Sequence, residues 1–518
     1  MNADRHLMIA FEGTEPPPDT LALLAEGNVA GVTLFNAANV RDAGQVADLT
    51  AALRDAAPEP ILVATDQEGG QLMALGPDTT PFAGAMALGA TGDPDLARRV
   101  ARAIGTELRA LGVDLNYAPV CDVATNPNNP SLGTRSFSDD PALVAEMAAQ
   151  TIAGLHEAAV LTTAKHFPGQ GEAVVDPHHD LPVLDLDPVR LDEVELVPFR
   201  AAISAGVDAM MVGHYGLPSV TGRPDLPTSV AGSAVDGLLR NRLGFGGVVI
   251  TDALDMAALP QGVGQIIDAV CALAAGVDLL LTTPDPGALK RLRTGLDLAV
   301  RRGLLSHRAL TVSRRRIDDL RRRVSDGDRP NIAEVRSFEH LRLAEELARR
   351  SVTLVRDRDR LLPLPTAGPL LTVMPRPSDL TPADTSSLVP PLLAASLRRH
   401  HPDVIEVVTE PEPTDGDVAG ALEMATRADR IVAGTISAGP RQARLVQTLL
   451  DTGKPVVTVA LRTPFDLLSY PSAGTHLCTY SILEPSMTAL GDVLFGRSAA
   501  RGSLPVAIGD LHPRGWSA

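Results

Sequence analysis

The sequence has few cysteines and no long apolar run. Its three cysteines, Cys121, Cys271 and Cys478, are odd in number and far apart along 518 residues. That pattern predicts neither a disulfide framework nor a zinc ribbon, and it favours a reducing, cytoplasmic location. No apolar run approaches the roughly 18 to 20 residues that a membrane helix needs. The N-terminal segment lacks the basic flank and cleavage site of a secretory signal, so we expect neither secretion nor a membrane partner.

Basic residues and glycine-rich phosphate loops are also scarce. The 63 Asp and Glu outnumber the 46 Lys and Arg, for a formal net charge of -17. The one basic stretch, SRRRIDDLRRRV at 313–324, is predicted to be a solvated helix face. Because nucleic acids bind basic surfaces, no nucleic-acid partner is expected. No predicted strand leads into G-x-G-x-x-G, so a dinucleotide site has no support and no cofactor is predicted. The oligomeric state stays open.

What the sequence does have is a regular alternation of short β-branched segments and amphipathic helical segments. Eight segments are predicted as strands, beginning at His6, Gly31, Ile61, Asp114, Val160, Val207, Gly247 and Val277. Alternating strands and helices imply parallel crossovers, and eight repeats match a (β/α)8 barrel of the TIM type. The α/β fold predicted for residues 1–335 is therefore a barrel.

A second α/β unit is predicted after the barrel. A linking helix over 336–351 leads into a domain over 352–518, interpreted as an open layered sandwich with helices on both faces of a sheet. Its predicted strands are VTLVRD, PLLTVMP, DVIEVVTE, DRIVAGTI, PVVTVAL, THLCTYS and SLPVAI, and RPSDLTPADTSSLVPP is predicted as a loop. The sequence leaves open whether this domain covers the barrel mouth, mediates dimerisation or binds something of its own.

Polar side chains follow the predicted barrel strands at their carboxyl ends, the face that bears the active site in such barrels. These side chains are Asp66, Asp122, Arg135, Lys165, His166, His214 and Asp252. Asp252, after an apolar strand, could act as a nucleophile or stabilise charge. Aspartate also caps helices, which is the competing interpretation, and for Asp255 we favour a cap or a hydrogen-bonding neighbour.

The segment KHFPGQGEAVVDPHHDLP at 165–182 concentrates titratable groups in a loop. In an extended backbone Asp176 and His178 would point the same way, and Pro177 favours extended geometry before it. An Asp beside a His fixes the imidazole tautomer, as general acid–base catalysis requires. From the residues alone, His179 is an equal candidate.

A carbohydrate is the ligand that these groups suit best. The donors Lys165 and His166 and the acceptor Asp66 suit a hydroxyl-rich ligand, because each hydroxyl both donates and accepts. The histidines lack zinc-type spacing and no cysteine is near, so no metal is predicted.

Several stretches together resemble glycoside hydrolase family 3, in its β-N-acetylglucosaminidase branch. They are LFNAANV, ATDQEGGQL, NYAPVCDV with SLGTRSF, KHFPGQGEAVVDPHHDLP and GVVITDALDM, while SVTLVRDRDRLLPLP and ALRTPFDLLSY resemble the second domain of longer members. The resemblance implies a nucleophile on Asp252 and an acid/base on His178, paired with Asp176. It also implies that the terminal sugar is held by Asp66, Arg135, Lys165 and His166. His214 joins them as a substrate-binding candidate from its strand-end position.

The implied activity is removal of terminal β-linked N-acetylglucosamine by double displacement with retention, from a small carbohydrate such as a cell-wall muropeptide or a chitin-type fragment. Three alternatives stay open: a phosphorylase, a β-glucosidase or β-xylosidase of the same family, and a sugar-binding protein without catalysis. Related β-glucosidases use a glutamate of the second domain as acid/base, and the D-x-H loop argues against that branch. The chain departs from the branch at Gln71, Gln170, Glu172, Ala173 and Pro177, which alter the periphery of the site.

Overall fold

The first part of the chain folds as an eight-stranded barrel. The structure, a computed structural model, describes residues 3–324 and 329–518. Its first ten strands are β1 Leu7–Ile9, β2 Gly31–Thr33, β3 Leu62–Thr65, β4 Gln67–Gly69, β5 Leu72–Met73, β6 Leu115–Asn116, β7 Leu161–Phe167, β8 Ala209–Val212, β9 Val248–Thr251 and β10 Leu280–Leu281. The parallel barrel sheet has the order β10-β1-β2-β3-β6-β7-β8-β9, and a bridge between Ile250 and Leu279 joins its last seam. The predicted barrel is confirmed, and β4 with β5 forms a small hairpin after β3.

Helices alternate with the strands and surround them. They are α1 Pro18–Ala25, α2 Asn36–Asn39, α3 Ala43–Ala56, α4 Ala85–Thr91, α5 Pro94–Ala110, α6 Pro141–Glu157, α7 Pro188–Arg190, α8 Leu196–Ser204, α9 Pro218–Thr221, α10 Val263–Ala274, α11 Pro286–Arg301 and α12 His307–Arg322, with π-helical segments at Leu191–Glu195 and Ser233–Arg242. Asp93 and Asp140 accept amide hydrogen bonds at the starts of α5 and α6, where proline occupies the first turn. These caps explain why the helices begin where the apolar period begins.

The barrel interior is filled by side chains two residues apart on each strand, as the alternation of a strand requires. This cluster includes Met8, Leu62, Ala64, Leu115, Tyr117, Ala209, Met211, Val248, Ile250, Leu279 and Leu281. Ile317 and Leu320 of α12 join the same cluster, so the apolar face of α12 packs against the barrel core. All the basic residues of 313–324 except Arg323 lie on the same helix, and Arg323 directly follows it.

The second α/β unit is an open six-stranded sheet. Helix α13 Phe338–Ser351 leads into β11 Thr353–Asp357, followed by β12 Leu370–Pro375, β13 Val404–Thr409, β14 Arg430–Thr435, β15 Val456–Ala460 and β16 Thr475–Cys478. The strand order is β11-β16-β15-β14-β12-β13, with β11 antiparallel to β16 and the other pairs parallel. The helices α14 Leu393–Arg398, α15 Asp415–Thr426, α16 Pro440–Leu450 and α17 Glu484–Leu494 complete the unit. The predicted domain boundaries at 335 and 352 stay predictions.

One predicted strand, SLPVAI at 503–508, is wrong. This segment has no strand ladder and instead runs along the barrel, where Ser503 N donates to Ala90 O at 3.0 Å and Ala507 N donates to Asp139 Oδ2 at 2.8 Å. Pro505 lacks the amide hydrogen that a ladder needs. The segment therefore fastens the second unit to the barrel.

No helix within residues 3–324 and 329–518 is both long enough and apolar enough to cross a membrane.

Candidate active site

A cavity of about 630 Å³ opens where the barrel strands end. Met211 and Leu281, the last inward-facing residues of β8 and β10, lie at its base. Of the eight predicted site residues, six line it: Asp66, Arg135, Lys165, His166, His178 and Asp252. The strand-end pattern therefore brings most of the predicted residues together in one chamber.

Asp252 directly follows β9 and does not cap a helix. The next helix, α10, begins at Val263 with Gly262 as its N-cap residue, and the Asp252 carboxylate accepts from the adjacent Ala253 amide, at 2.8 Å. Of the two roles expected for Asp255, the cap is wrong because no helix begins there, and the role of a hydrogen-bonding neighbour stays a prediction. Burial would raise the pKa of Asp252, but nearby histidines, His166 first among them, outweigh it and lower the pKa. The carboxylate is therefore ionised near neutral pH.

Asp176 and His178 form a pair, although the backbone between them is not extended as predicted. Asp176 Oδ1 lies 2.6 Å from His178 Nδ1 and accepts the His178 amide at 2.9 Å, and His179 N donates to Asp176 O at 2.9 Å. The segment is thus a turn closed by the aspartate side chain, a conformation that aspartate favours. Burial would raise the pKa of Asp176, but its hydrogen bonds to His178 lower it. The ionised carboxylate holds the proton on Nδ1 and leaves Nε2 for a ligand.

The loop that bears this pair is held at two places through its own backbone carbonyls. Pro177 O accepts from Ala258 N at 3.0 Å and His178 O accepts from Ala257 N at 3.4 Å, both donors lying just after β9. At the start of the loop, Asn129 Nδ2 donates to Gln170 O at 2.7 Å. The turn is therefore docked on the segment that follows Asp252.

A network of buried charges lies at one side of the cavity. Lys165 Nζ contacts Asp66 and lies 2.6 Å from Glu68 Oε1, and Arg135 binds Glu68 through two hydrogen bonds of 2.9 and 2.8 Å. Burial would raise the pKa of Glu68, but Arg135 and Lys165 outweigh it and hold the pKa at about 2. Burial would lower the pKa of Lys165, but Asp66 and Glu68 raise it. Glu68, Arg135 and Lys165 are therefore charged at neutral pH.

Glu68 was missed by the sequence analysis. Its position two residues after Asp66 in ATDQEGGQL places it on β4, the first strand of the hairpin after β3. The signal available was a second carboxylate in the same motif. Its partners could not be inferred, because Arg135 and Lys165 are distant in sequence.

His166 is oriented by Asp122, which the sequence placed at a strand end but to which it assigned no role. Asp122, fully buried, accepts from His166 Nδ1 at 2.7 Å and from Gln170 N at 2.9 Å. This bond fixes the His166 ring and leaves its Nε2 near the Arg135 guanidinium, at 3.4 Å. The Gln170 side chain also contacts Asp122, at 3.3 Å, so this departure from the family pattern lies against the His166 support.

His214 is not placed as a sugar ligand. It is fully buried, does not line the cavity, and bonds Ser229 Oγ at 2.7 Å and Ala253 O at 3.2 Å through its two ring nitrogens. Burial lowers the pKa of His214, so the ring is neutral near pH 7. This geometry supports the backbone beside Asp252 and corrects the assignment of His214 to substrate binding.

The second unit contributes one wall of the cavity. Residues from 379 to 388, within the predicted loop, line it, and this loop docks on the hairpin after β3. Thr385 N donates to Gln71 O at 3.0 Å, and Met73 N donates to Thr385 Oγ1 at 3.0 Å. Of the three roles left open by the sequence, covering the barrel mouth is the one the structure displays.

Across the described ranges, 3–324 and 329–518, no cluster of three or more His, Cys, Asp or Glu side chains is arranged to hold a metal ion.

Replacing Glu68 with glutamine should make stability less sensitive to acid. The folded pKa of about 2 lies below the ordinary value of 4.5, so the stabilisation is present above about pH 4.5 and is lost as the pH falls toward 2. A shift of this size corresponds to about 3 kcal/mol. Urea unfolding from pH 7 to pH 3 should show a shallower decline for Glu68→Gln than for the native chain. Glu59→Gln, whose side chain is 53% exposed, is the control, and parallel declines in all three proteins would contradict the prediction.

Comparison with known proteins agrees with this geometry. The family model described as "Glycosyl hydrolase family 3 N terminal domain" matches residues 8–320. The chain belongs to glycosyl hydrolase family 3. It is 30% identical to Beta-hexosaminidase A of Pseudoalteromonas piscicida, over 96% of this chain and 92% of that protein.

Other proteins match one or both parts of the chain. A Beta-hexosaminidase of Xylella fastidiosa strain M12 is 40% identical over 53% of this chain and 82% of its own length. Among solved structures, a family 3 beta-N-acetylglucosaminidase from Paenibacillus sp. str. FPU-7 superposes with a TM-score of 0.91 at 34% identity, covering 98% of both chains. The likeness to this family 3 structure extends through the second domain.

Proposed function

We propose that this family 3 protein is a retaining β-N-acetylglucosaminidase that releases terminal β-linked N-acetylglucosamine from small carbohydrates. The observation that carries the proposal is the presence in one cavity of an ionised carboxylate, Asp252, and an imidazole, His178, held by a buried carboxylate, Asp176. A nucleophile and a proton donor at one site are what double displacement needs. Its full-length relatives are named hexosaminidase and acetylglucosaminidase.

In the proposed first step, the Asp252 carboxylate attacks the anomeric carbon while protonated His178 gives its Nε2 proton to the glycosidic oxygen. The bond from the anomeric carbon to that oxygen breaks, the leaving group departs with the proton, and the sugar is held as an ester on Asp252. In the second step neutral His178 takes a proton from water, whose oxygen displaces Asp252 from the anomeric carbon. Two inversions give net retention.

The remaining charged side chains are proposed to hold the terminal sugar. Asp66 presents an acceptor, Lys165 and Arg135 present donors, and His166 presents its Nε2, at the same side of the cavity. Their mutual ion pairs fix their positions before the sugar arrives, so little side-chain order has to be created on binding. Glu68 and Asp122 act as positioning residues through Arg135, Lys165 and His166.

The test is a panel of aryl β-glycosides assayed with and without phosphate. The proposal expects cleavage of the β-N-acetylglucosaminide well above that of the β-glucoside and β-xyloside, no acceleration by phosphate, and β-N-acetylglucosamine as the first product seen by proton NMR. Sugar 1-phosphate that forms only with phosphate would establish a phosphorylase instead. A tightly bound, uncleaved ligand in native mass spectrometry would establish a binding protein.

We also propose a cytoplasmic location. The supporting observation is that all three cysteines are free, with Cys121 and Cys478 buried and Cys271 exposed, as is usual in reducing compartments. Cell fractionation against marker enzymes tests it, and recovery of the protein in the culture medium would refute it.

A further inference from the structure

One wall of the cavity has no role in the steps proposed above. The barrel supplies the nucleophile, the acid/base and the groups proposed to hold the terminal sugar, whereas residues 379–388 belong to the second domain. The barrel groups are proposed to surround the terminal sugar, so the leaving group extends into the remaining part of the cavity, which residues 379–388 line. The second-domain wall, defined as residues 379–388, therefore faces the part of the substrate that departs.

The second-domain wall is held in shape by a buried ion pair. Asp384 Oδ2 lies 2.8 Å from Arg462 Nη1, and both side chains are almost fully buried, at 0% and 3% exposure. The same carboxylate accepts from Leu380 N at 3.1 Å and from Ser386 N at 2.9 Å. Removal of one partner from a buried, hydrogen-bonded pair is strongly destabilising. The Asp384 carboxylate thus fixes the loop, and Arg462 neutralises its charge.

Asp379 differs from Asp384 because it is exposed and has no basic partner among the described residues. Its carboxylate accepts only from Ser387 N at 2.8 Å and Ser387 Oγ at 2.6 Å. Within the described ranges Arg135 and Lys165 are the only arginine and lysine that line the cavity, and both are paired with carboxylates. His178, when protonated, is paired with Asp176. The part of the cavity that the second-domain wall lines therefore has an excess of negative charge.

We infer that the second-domain wall receives the leaving group and that Asp379 makes this subsite select a neutral sugar over one that bears a carboxylate. The inference rests on the proposed function and narrows its substrate to the neutral, chitin-type class. The net charge of -17 acts in the same direction, because a negative field lowers the local concentration of anions. A carboxylate a few ångströms from Asp379 should cost about fivefold in kcat/KM, the effect of one like charge at about 4 Å in water.

The experiment changes only the charge of the leaving group. The substrates are the disaccharide of N-acetylglucosamine β-1,4-linked to N-acetylmuramic acid, the methyl ester of its lactyl carboxylate, and an aryl β-N-acetylglucosaminide. The proteins are the native chain, Asp379→Asn, and the control Asp415→Asn. Asparagine preserves an oxygen for the Ser387 amide, while Asp415 is an exposed carboxylate of the same domain, paired with Arg444. Both variants change the net charge equally.

For the native chain we expect the ester to be cleaved at least fivefold faster than the acid by kcat/KM. That ratio should shrink in 0.5 M salt, because salt screens exposed charges. Asp379→Asn should raise kcat/KM for the acid three- to fivefold and leave the ester and the aryl substrate within twofold, an effect of about one screened charge. Asp415→Asn should change none of them.

The opposing outcomes separate the two proposals. The inference is overturned if the native chain cleaves the acid as fast as the ester or faster, or if Asp379→Asn changes kcat/KM for both disaccharides equally. In either case, cleavage of the aryl substrate would still support the proposed function. If none of the three substrates is cleaved, both the proposed function and the inference are overturned.

Discussion

Replacing Asp252 with alanine should lower kcat for an aryl β-N-acetylglucosaminide by about 10³- to 10⁵-fold, the range seen when a nucleophile is removed. The reason is that the ionised carboxylate directly after β9 is the group proposed to form the covalent intermediate. Steady-state kinetics on purified protein measures the loss. Sodium azide should restore part of the turnover, because a small anion can occupy the vacated space, and the product should then be the α-glycosyl azide.

Asp255→Ala is the matched control for this prediction. Asp255 lies three residues further along the same segment, is exposed, and does not line the cavity. We expect its kcat to stay within threefold of the native value. Near-normal turnover in Asp252→Ala, or an equal loss in both variants, would show that Asp252 is not the nucleophile.

Replacing His178 with alanine should separate substrates by the quality of their leaving groups. A general acid contributes about 10²- to 10⁴-fold when the leaving oxygen must be protonated. We expect a loss of this size for N,N′-diacetylchitobiose, whose leaving hydroxyl is poor. For a dinitrophenyl β-N-acetylglucosaminide, whose leaving group is stable as an anion, the first step should be nearly unaffected, and a burst of dinitrophenol should appear before slow hydrolysis of the intermediate.

His179→Ala is the control, since His179 is the adjacent imidazole and is exposed. It should retain activity on both substrates within about threefold, because Asp176 holds His178 and not His179 through a 2.6 Å bond. Equal sensitivity of the two substrates to His178→Ala, or a larger loss in His179→Ala, would contradict the assignment.

The barrel was predictable because its local signals agree. Each barrel strand is short and buried along its whole length, and most of the longer helices begin at a capping side chain or a proline. Strand ends then place Asp66, Lys165, His166 and Asp252 on one face by topology alone. Those residues needed no knowledge of distant contacts.

The unpredicted features all depend on contacts between residues far apart in sequence. Glu68 and Asp122 acquire their roles only when Arg135 and His166 reach them across the barrel mouth. His214 follows the same strand-end rule as Asp252, yet packing buries it fully beneath Ala253. Periodicity identifies the end of a strand but does not reveal how deeply a side chain is buried there.

The second domain, too, was predictable in its strands but not in its contacts with the barrel. Five parallel strands and β11 follow from their sequence patterns, but the loop at 379–388 gave no sign that it would dock on the barrel. Gln71, a departure from the family pattern, binds Thr385 through its backbone carbonyl and lies outside the cavity lining. The Gln71 side chain, which is what departs from the family pattern, instead accepts from Thr134 N at 3.2 Å, so this departure bears on the barrel segment next to Arg135.

The loop at 165–182 is joined to the segment after Asp252 by main-chain atoms alone at Pro177 and His178. Main-chain hydrogen bonds do not depend on the identity of the side chains that the bonded residues bear, apart from proline as a donor. The amides of Ala257 and Ala258 can therefore hold the loop that bears His178 beside the segment after Asp252, even where the side chains of the loop change. We therefore expect the backbone path of this loop to be constrained in evolution, while much of its amino-acid sequence can change. Loops of different sequence could then hold the imidazole of His178 in the same position.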